Sequence, residues 1–346
     1  SRADVLPMVV DQGINFESVG GLNRHVVSLK EMVVLPLLYP DVFCRFDVQP
    51  PRGVLFTGPP GTGKTLMARA LANSLSTGSA DGGQKVSFFM RKGADCLSKW
   101  VSEGERQLRL LFEQAKRFEP AIIFFDEIDG LAPVRSVKQD QIHASIVSTL
   151  LALMDGLDSR GKVVVIGATN RPDAIDPALR RPGRFDRELL FPLPNASARS
   201  AILDINTKTW QPALDSPTKE WIVNNTVGYC GADMKALCAE SLLIALRRSY
   251  PSIYQSSERL ALDVSSVHLG RGDFAAALSR IVPASRRSMQ SHALPLNASD
   301  RQLLGPVFEA ALRKISRTFP PAHKAAQRAL VGSQGIPVPS LKPPTT

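Results

Sequence analysis

Residues 58–65 read Gly-Pro-Pro-Gly-Thr-Gly-Lys-Thr, a GxxxxGKT run set directly behind the apolar residues Val54, Leu55 and Phe56 and ahead of the helix-prone segment from Lys64 to Leu75. Strand, glycine-rich loop and helix, in that order, form the context in which such a loop binds phosphate. The glycines let successive backbone N–H groups turn inward toward one anion, and the helix adds its positive N-terminal end. Lys64 is placed to reach the β- and γ-phosphates of a nucleotide, and the Thr65 hydroxyl to hold Mg²⁺. A glycine-rich turn without function is the bland alternative, and the flanking strand and helix disfavour it.

The pattern around this loop predicts an α/β fold. From about Asn15 to Pro194, short β-branched or aromatic runs alternate with amphipathic segments, as in a parallel sheet covered on both faces. Strands are expected at Gly53 to Thr57, Val86 to Met90, Ala121 to Phe125, Val163 to Ala168 and Glu188 to Leu193. Leu108, Leu111, Phe112 and Ala115 share one helical face before Pro120. After a short hinge at Pro192 to Asn195 the strand signal nearly vanishes. The expectation is a small all-helical lid over 196–288, with a core stripe of Met234, Leu237, Cys238, Leu242 and Ala245 and with Asp273 capping the last helix. Residues 1–14 read as an extension, 15–194 as the nucleotide-binding domain and 289–346 as a linker. That linker has one helix, Leu303 to Phe319, and a Pro, Gly and Ser-rich tail from Gly332.

Two further strands end in chemistry. Ile122, Ile123, Phe124 and Phe125 run into Asp126 and Glu127, and parallel strands deliver their C-terminal ends to one ligand edge. There Asp126 would orient Mg²⁺ and Glu127 would polarise the water that attacks the γ-phosphate. Val163 to Ala168 runs into Thr169 and Asn170, whose amide could bond that water or the phosphate. Between Asp176 and Arg187 lie Arg180, Arg181, Arg184 and Arg187. On the face opposite the chain's own phosphate loop, such arginines could serve only a neighbour's nucleotide, where a guanidinium is worth about 10³ to 10⁵ in rate.

Composition excludes little else. The chain has 346 residues and a net charge of +10, and no apolar stretch is long enough for a membrane span. The basic excess suits polyanions, so contact with DNA or chromatin stays open beside nucleotide phosphates and inter-subunit sites. Cys44, Cys96, Cys230 and Cys238 are scattered without metal-ligand spacing and read as reduced thiols. The first residue is Ser1, and a segment excised from a longer chain is expected.

In this order and at these spacings the blocks resemble an AAA+ ATPase module, over roughly Asn15 to Ser285. The closest likeness is to the first ATPase module of the bromodomain-bearing chromatin ATPases, the ATAD or ANCCA type. It is carried by Lys92 to Val101, Phe125 to Arg135, Gln139 to His143 and Pro283-Ala284-Ser285. The resemblance implies ATP and Mg²⁺, held by Pro60, Gly61, Thr62, Gly63, Lys64, Thr65, Leu66 and Asp126, with Thr65 and Asp126 at the metal. It implies catalysis by Glu127, with Asn170 as sensor and Arg181 and Arg184 as fingers, and an adenine pocket of Gly20, Gly21, Ile202, Gly231 and Ala232. It further implies a homo-hexameric ring whose Lys99, Trp100 and Val101 grip a polypeptide in the pore, and Asp155, Gly156 and Leu157 as a segment signalling to the adjacent subunit. The implied substrate is a histone and the implied location the nucleus, with the cytoplasm as the alternative. Ser102 to Glu105 departs from the usual Gly-Glu-Ser-Glu run, Ser18 stands where Asp is common, and Asn206 where a His often faces the nucleotide. Another unfoldase or a microtubule-severing ATPase is the alternative enzyme, and a nucleotide-gated scaffold the alternative of another class.

Overall fold

In the computed structural model the described residues are 6–8, 13–77, 86–96, 101–132, 141–157, 162–251, 267–287 and, in part, 305–314. The chain divides into two compact units, 1–289 and 290–346.

The first unit is built on five parallel strands, β1 (Gly53–Thr57), β2 (Ser87–Lys92), β3 (Ala121–Asp126), β4 (Val163–Thr169) and β5 (Phe185–Leu190), in the order β2-β3-β4-β1-β5. Parallel sheets carry cover on both faces, so their inner strands read as unbroken apolar runs. Here β1 and β4 are buried at every position.

Alternation of side chains divides the core in two. Val54, Phe56, Ile122, Phe124, Val164 and Ile166 pack with Leu29 and Val33 of the N-terminal helical region and with Met67 and Leu71. Leu55, Ile123, Phe125 and Val165 pack on the other face with Leu108, Leu111, Phe112, Ile146 and Leu150. The covering helices are α1 (Asn23–Leu29), α2 (Lys64–Thr77), α3 (Val101–Arg117) and α4 (Gln141–Asp155).

Two strands begin and end away from the sequence expectation. β2 extends through Arg91 and Lys92, which pair with Phe125 and Asp126. β5 runs over Phe185–Leu190 rather than Glu188 to Leu193, with Phe185 opposite Gly53. As an edge strand it exposes Asp186, Arg187 and Glu188, so no apolar run announces its start. Phe191 N–H donates to Thr57 O as the last rung, and Pro192 can donate none.

The lid follows within the same unit as α5 (Ala196–Thr207), α6 (Ser216–Asn225), α7 (Gly231–Ser249) and α8 (Arg271–Arg280). Asn195 and Asp215 cap α5 and α6, accepting from Ala198 N–H and Thr218 N–H. Its core holds Leu203, Ile222, Met234, Leu237, Cys238 and Phe274. Leu242 is not in the stripe but 45% exposed, because the helical period returns to the core at Ser241, which is buried. Asp273 is not the cap of α8: Gly270 is, and Asp273 sits three residues in, its carboxylate accepting from Gly270 N–H at 2.9 Å.

In the second unit, residues 305–307, 309–311 and 313–314 are helical. The rest of the expected helix, and the tail from Gly332, lie outside the described residues. Among the described residues no helix is long and apolar enough to cross a membrane.

Candidate functional site

The strand order brings the chemistry to one edge. β3, β4 and β1 are neighbours, so Asp126, Asn170 and Gly58 emerge side by side at strand ends about 4.8 Å apart. A Cβ on Gly58 would fall 2.2 Å from Phe191 O, and one on Gly61 would fall 2.6 Å from Cys230 Sγ. Both glycines also hold left-handed φ values, 139° and 74°.

Within the loop, Thr62 Oγ1 donates to Pro59 O at 2.9 Å. Lys64 is buried and donates through Nζ to Gly58 O and Pro59 O, both at 2.8 Å. Burial pushes its ammonium down to about 8, against the attraction of Asp126 and Asp129. Thr65 Oγ1 donates to Asp126 Oδ2 at 2.8 Å, which puts two hard oxygen donors together beside the phosphate loop. That pair fits Mg²⁺, which takes one or two protein oxygens and completes its shell with water and substrate phosphate. Among the described residues no cluster of three His, Cys, Asp or Glu side chains could hold a metal by itself.

Glu127 holds a left-handed backbone, φ 53°. Such strain in a non-glycine residue persists only where its surroundings over-determine it. Here its N–H donates to Asp126 Oδ1 at 3.1 Å and its carbonyl accepts from Gly130 N–H at 3.0 Å. Just after β2, Gly93 presses so close that a Cβ there would lie 2.3 Å from Glu127 O. Asn170 is held from both sides. Thr169 Oγ1 donates to Asp129 Oδ1 at 2.8 Å and accepts from Arg171 N–H at 2.9 Å. Neither Asp129 nor Gly93 carries a sequence signal for these contacts, since each bridges separate strands.

Beside this strand edge lies a cleft of about 590 Å³, a volume suited to a small ligand. Residues 60–66, Asp126, Glu127 and Asn170 line it together with Gly20, Ile202, Gly231 and Ala232. Gly21, expected in the adenine pocket, is not among the lining residues; a Cβ there would lie 2.2 Å from Ala198 Cβ, so the glycine lets α5 approach. Ser18, Val19, Leu22, Ile205, Asn206 and Lys235 also line the cleft. Ile205 and Lys235 were findable by helical spacing from Ile202 and Gly231. Ser18 and Asn206 were visible only as departures.

The arginines lie elsewhere. Arg184 immediately precedes β5, whose first residue Phe185 faces Gly53, so it sits at the N-terminal end of β1. The phosphate loop leaves the other end, some five residues or about 16 Å away. Arg184 donates from Nε and Nη2 to the two Asp155 oxygens, both at 2.8 Å, and from Nη1 to Ala178 O at 2.6 Å. These bonds hold the Asp155 carboxyl below the usual carboxylate range. Arg180 pairs with Glu188, whereas Arg181 is exposed. Lys99 and Trp100 lie outside the described residues; Val101 begins α3, and its side chain is outside them too.

Residues 54–193 match the profile of the ATPase family associated with various cellular activities (AAA), and residues 219–259 match the AAA+ lid domain. The chain belongs to the AAA ATPase family. Among its relatives, the human ATPase family AAA domain-containing protein 2 is 59% identical over 98% of this chain and 24% of its own length. The human ATPase family AAA domain-containing protein 2B is 62% identical over 93% of this chain and 22% of its own. The ATPase histone chaperone YTA7 of Saccharomyces cerevisiae is 60% identical over 90% of this chain and 22% of its own. The chain thus spans about a quarter of the length of these relatives.

Proposed function

We propose that this chain is the ATP-hydrolysing module of a ring-forming, chromatin-associated protein remodeller that acts on histones in the nucleus. The observation that carries the reading is the division of the site. Lys64, Thr65, Asp126, Glu127 and Asn170 converge at one edge of the sheet, while Arg181 and Arg184 stand at the other. Arginines so placed complete a neighbour's site and not their own, so turnover requires assembly. Kinship to a protein named as a histone chaperone supports the choice of substrate.

In this reading the backbone of residues 60–65 and the N-terminus of α2 receive the phosphates. Lys64 then exchanges its two loop carbonyls for phosphate oxygens. Mg²⁺, held through Thr65 and Asp126, would supply charge neutralisation on the phosphates. Glu127 takes the proton of the attacking water, and Asn170 orients that water through its amide. The strained turn at Glu127 keeps its carboxylate aimed before substrate arrives, which is where preorganisation gains rate. Arg181 from the next protomer would stabilise the transferring phosphoryl group. Lys99, Trp100 and Val101 would grip the polypeptide, the indole packing on any side chain regardless of sequence.

The test is ATPase rate against protein concentration for the parent, Glu127→Gln and Arg181→Ala. Rate per subunit should rise with concentration, and both variants should be nearly inactive while Glu127→Gln still binds ATP. A concentration-independent rate untouched by Arg181→Ala would sink the shared site. Capture of histone tails by Glu127→Gln, with and without Trp100→Ala, tests the grip, and equal capture would count against it.

A further inference from the structure

The segment Pro283-Ala284-Ser285 follows α8, and nothing in the hydrolytic reading uses it. In the structure it is bound to the loop that carries the lid's side of the nucleotide cleft. Ser285 Oγ donates to Gly228 O at 2.7 Å, and Tyr229 Oη donates to Ile281 O at 3.2 Å. Ala284 N–H donates to both oxygens of Asp233, at 3.2 and 3.0 Å. The same Asp233 carboxylate, buried to 3% exposure, accepts from the N–H of the cap residue Cys230 at 3.0 Å and so fixes the start of α7 from within its first turn.

That helix start is fastened to the phosphate loop. Ala232 N–H donates to Gly61 O at 3.2 Å, and a Cβ on Gly61 would meet Cys230 Sγ and Ala232 Cβ. Gly231 and Ala232 line the cleft itself. One buried carboxylate therefore joins two things. On one side is the helix N-terminus that touches Gly61, and on the other is the segment by which the chain leaves the lid.

We infer that Asp233 is a positioning residue through which residues 283–285 and the phosphate-loop face of the nucleotide cleft are coupled. The inference rests on the nucleotide reading above. Asp233 is not itself a lining residue of the cleft; it acts by fixing the start of α7 against Gly61. A phosphate seated on residues 61–63 tightens that start, and Asp233 passes the constraint to Ala284. Coupling of this kind is reciprocal: whatever displaces 283–285 must weaken nucleotide binding by the factor with which nucleotide orders 283–285. In a longer protein this is the point at which a following domain would feel the state of the cleft.

The experiment removes one donor that does not line the cleft. Ala284 begins a helical turn, Ala284–Arg287, where proline is tolerated and its missing N–H leaves Asp233 intact. Titration of the full chain with a fluorescent ATP analogue should show Ala284→Pro binding about tenfold more weakly than the parent, with turnover at saturating ATP changed by less than about twofold, a coupling of ordinary size. Should Ala284→Pro fail to fold, hydrogen exchange on the parent decides the matter, since ATP should slow exchange of the Ala284 amide. A folded Ala284→Pro that binds like the parent, or an Ala284 amide indifferent to ATP, overturns the coupling alone. A parent that binds no analogue overturns the functional reading and this inference with it.

Discussion

Arg181 and Arg184 should separate cleanly when each is replaced by alanine. Arg184 is 17% exposed and holds two 2.8 Å bonds to Asp155 and one of 2.6 Å to Ala178 O. Because Asp155 is 54% exposed, the ion pair is screened and contributes at most about 1 kcal/mol. The bond to the carbonyl adds about 1 kcal/mol more. Arg184→Ala should thus lose about 2 kcal/mol, which for a unit of 289 residues lowers Tm by about 3 °C. Arg181 is exposed, and its replacement should stay within about 0.5 kcal/mol. Both should lose turnover, Arg181→Ala by about 10³ or more if its guanidinium acts as a finger. Calorimetry of the two variants beside ATPase titrations reads both effects. Equal melting temperatures, or parental turnover from Arg181→Ala at every concentration, would refute the reasoning.

Other perturbations test single contacts. Gly93→Ala forces a Cβ to within 2.3 Å of Glu127 O, so turnover should fall while ATP affinity, by fluorescence titration, stays within about twofold, since the loop that receives phosphate is not moved. Lys64 gives a pH signature. With its folded value near 8 and its ordinary value 10.5, the unfolded chain binds more protons between those limits, so stability rises with pH there. Denaturant melts of the parent and Lys64→Met across pH 7 to 10.5 should differ in slope, and parallel profiles would contradict the assignment. Thr169→Val breaks both bonds around Asn170 and should reduce turnover more than ATP affinity, measured in the same assays.

The inner sheet and the phosphate edge were legible because each is written in contiguous residues. Buried parallel strands spell apolar runs, and the loop motif follows one of them directly. What was illegible depends on partners distant in sequence. β5 starts at Phe185 because an edge strand with charged residues hides its own beginning. Leu242 looked apolar enough for the core, but Ser241 holds the inward position and satisfies its hydroxyl on Leu237 O at 2.7 Å. Asp273 has the composition of a cap, yet Gly270 occupies the cap and Asp273 serves it from within the helix. Gly21 sits beside the cleft in sequence, but its missing side chain makes room for Ala198 instead. Gly93 against Glu127, Asp129 against Thr169 and Asp233 against Ala284 join positions that no local pattern relates.

The central claim is that one nucleotide site is completed by two chains. Mixing Glu127→Gln, which keeps its arginines, with Arg181→Ala, which keeps its glutamate, tests it most directly. Each variant alone should be nearly inactive, and the mixture should regain ATPase activity, greatest near equal proportions, because an intact Glu127 then meets a neighbour's intact Arg181. A mixture no more active than its components, under conditions where the parent assembles, would contradict the account.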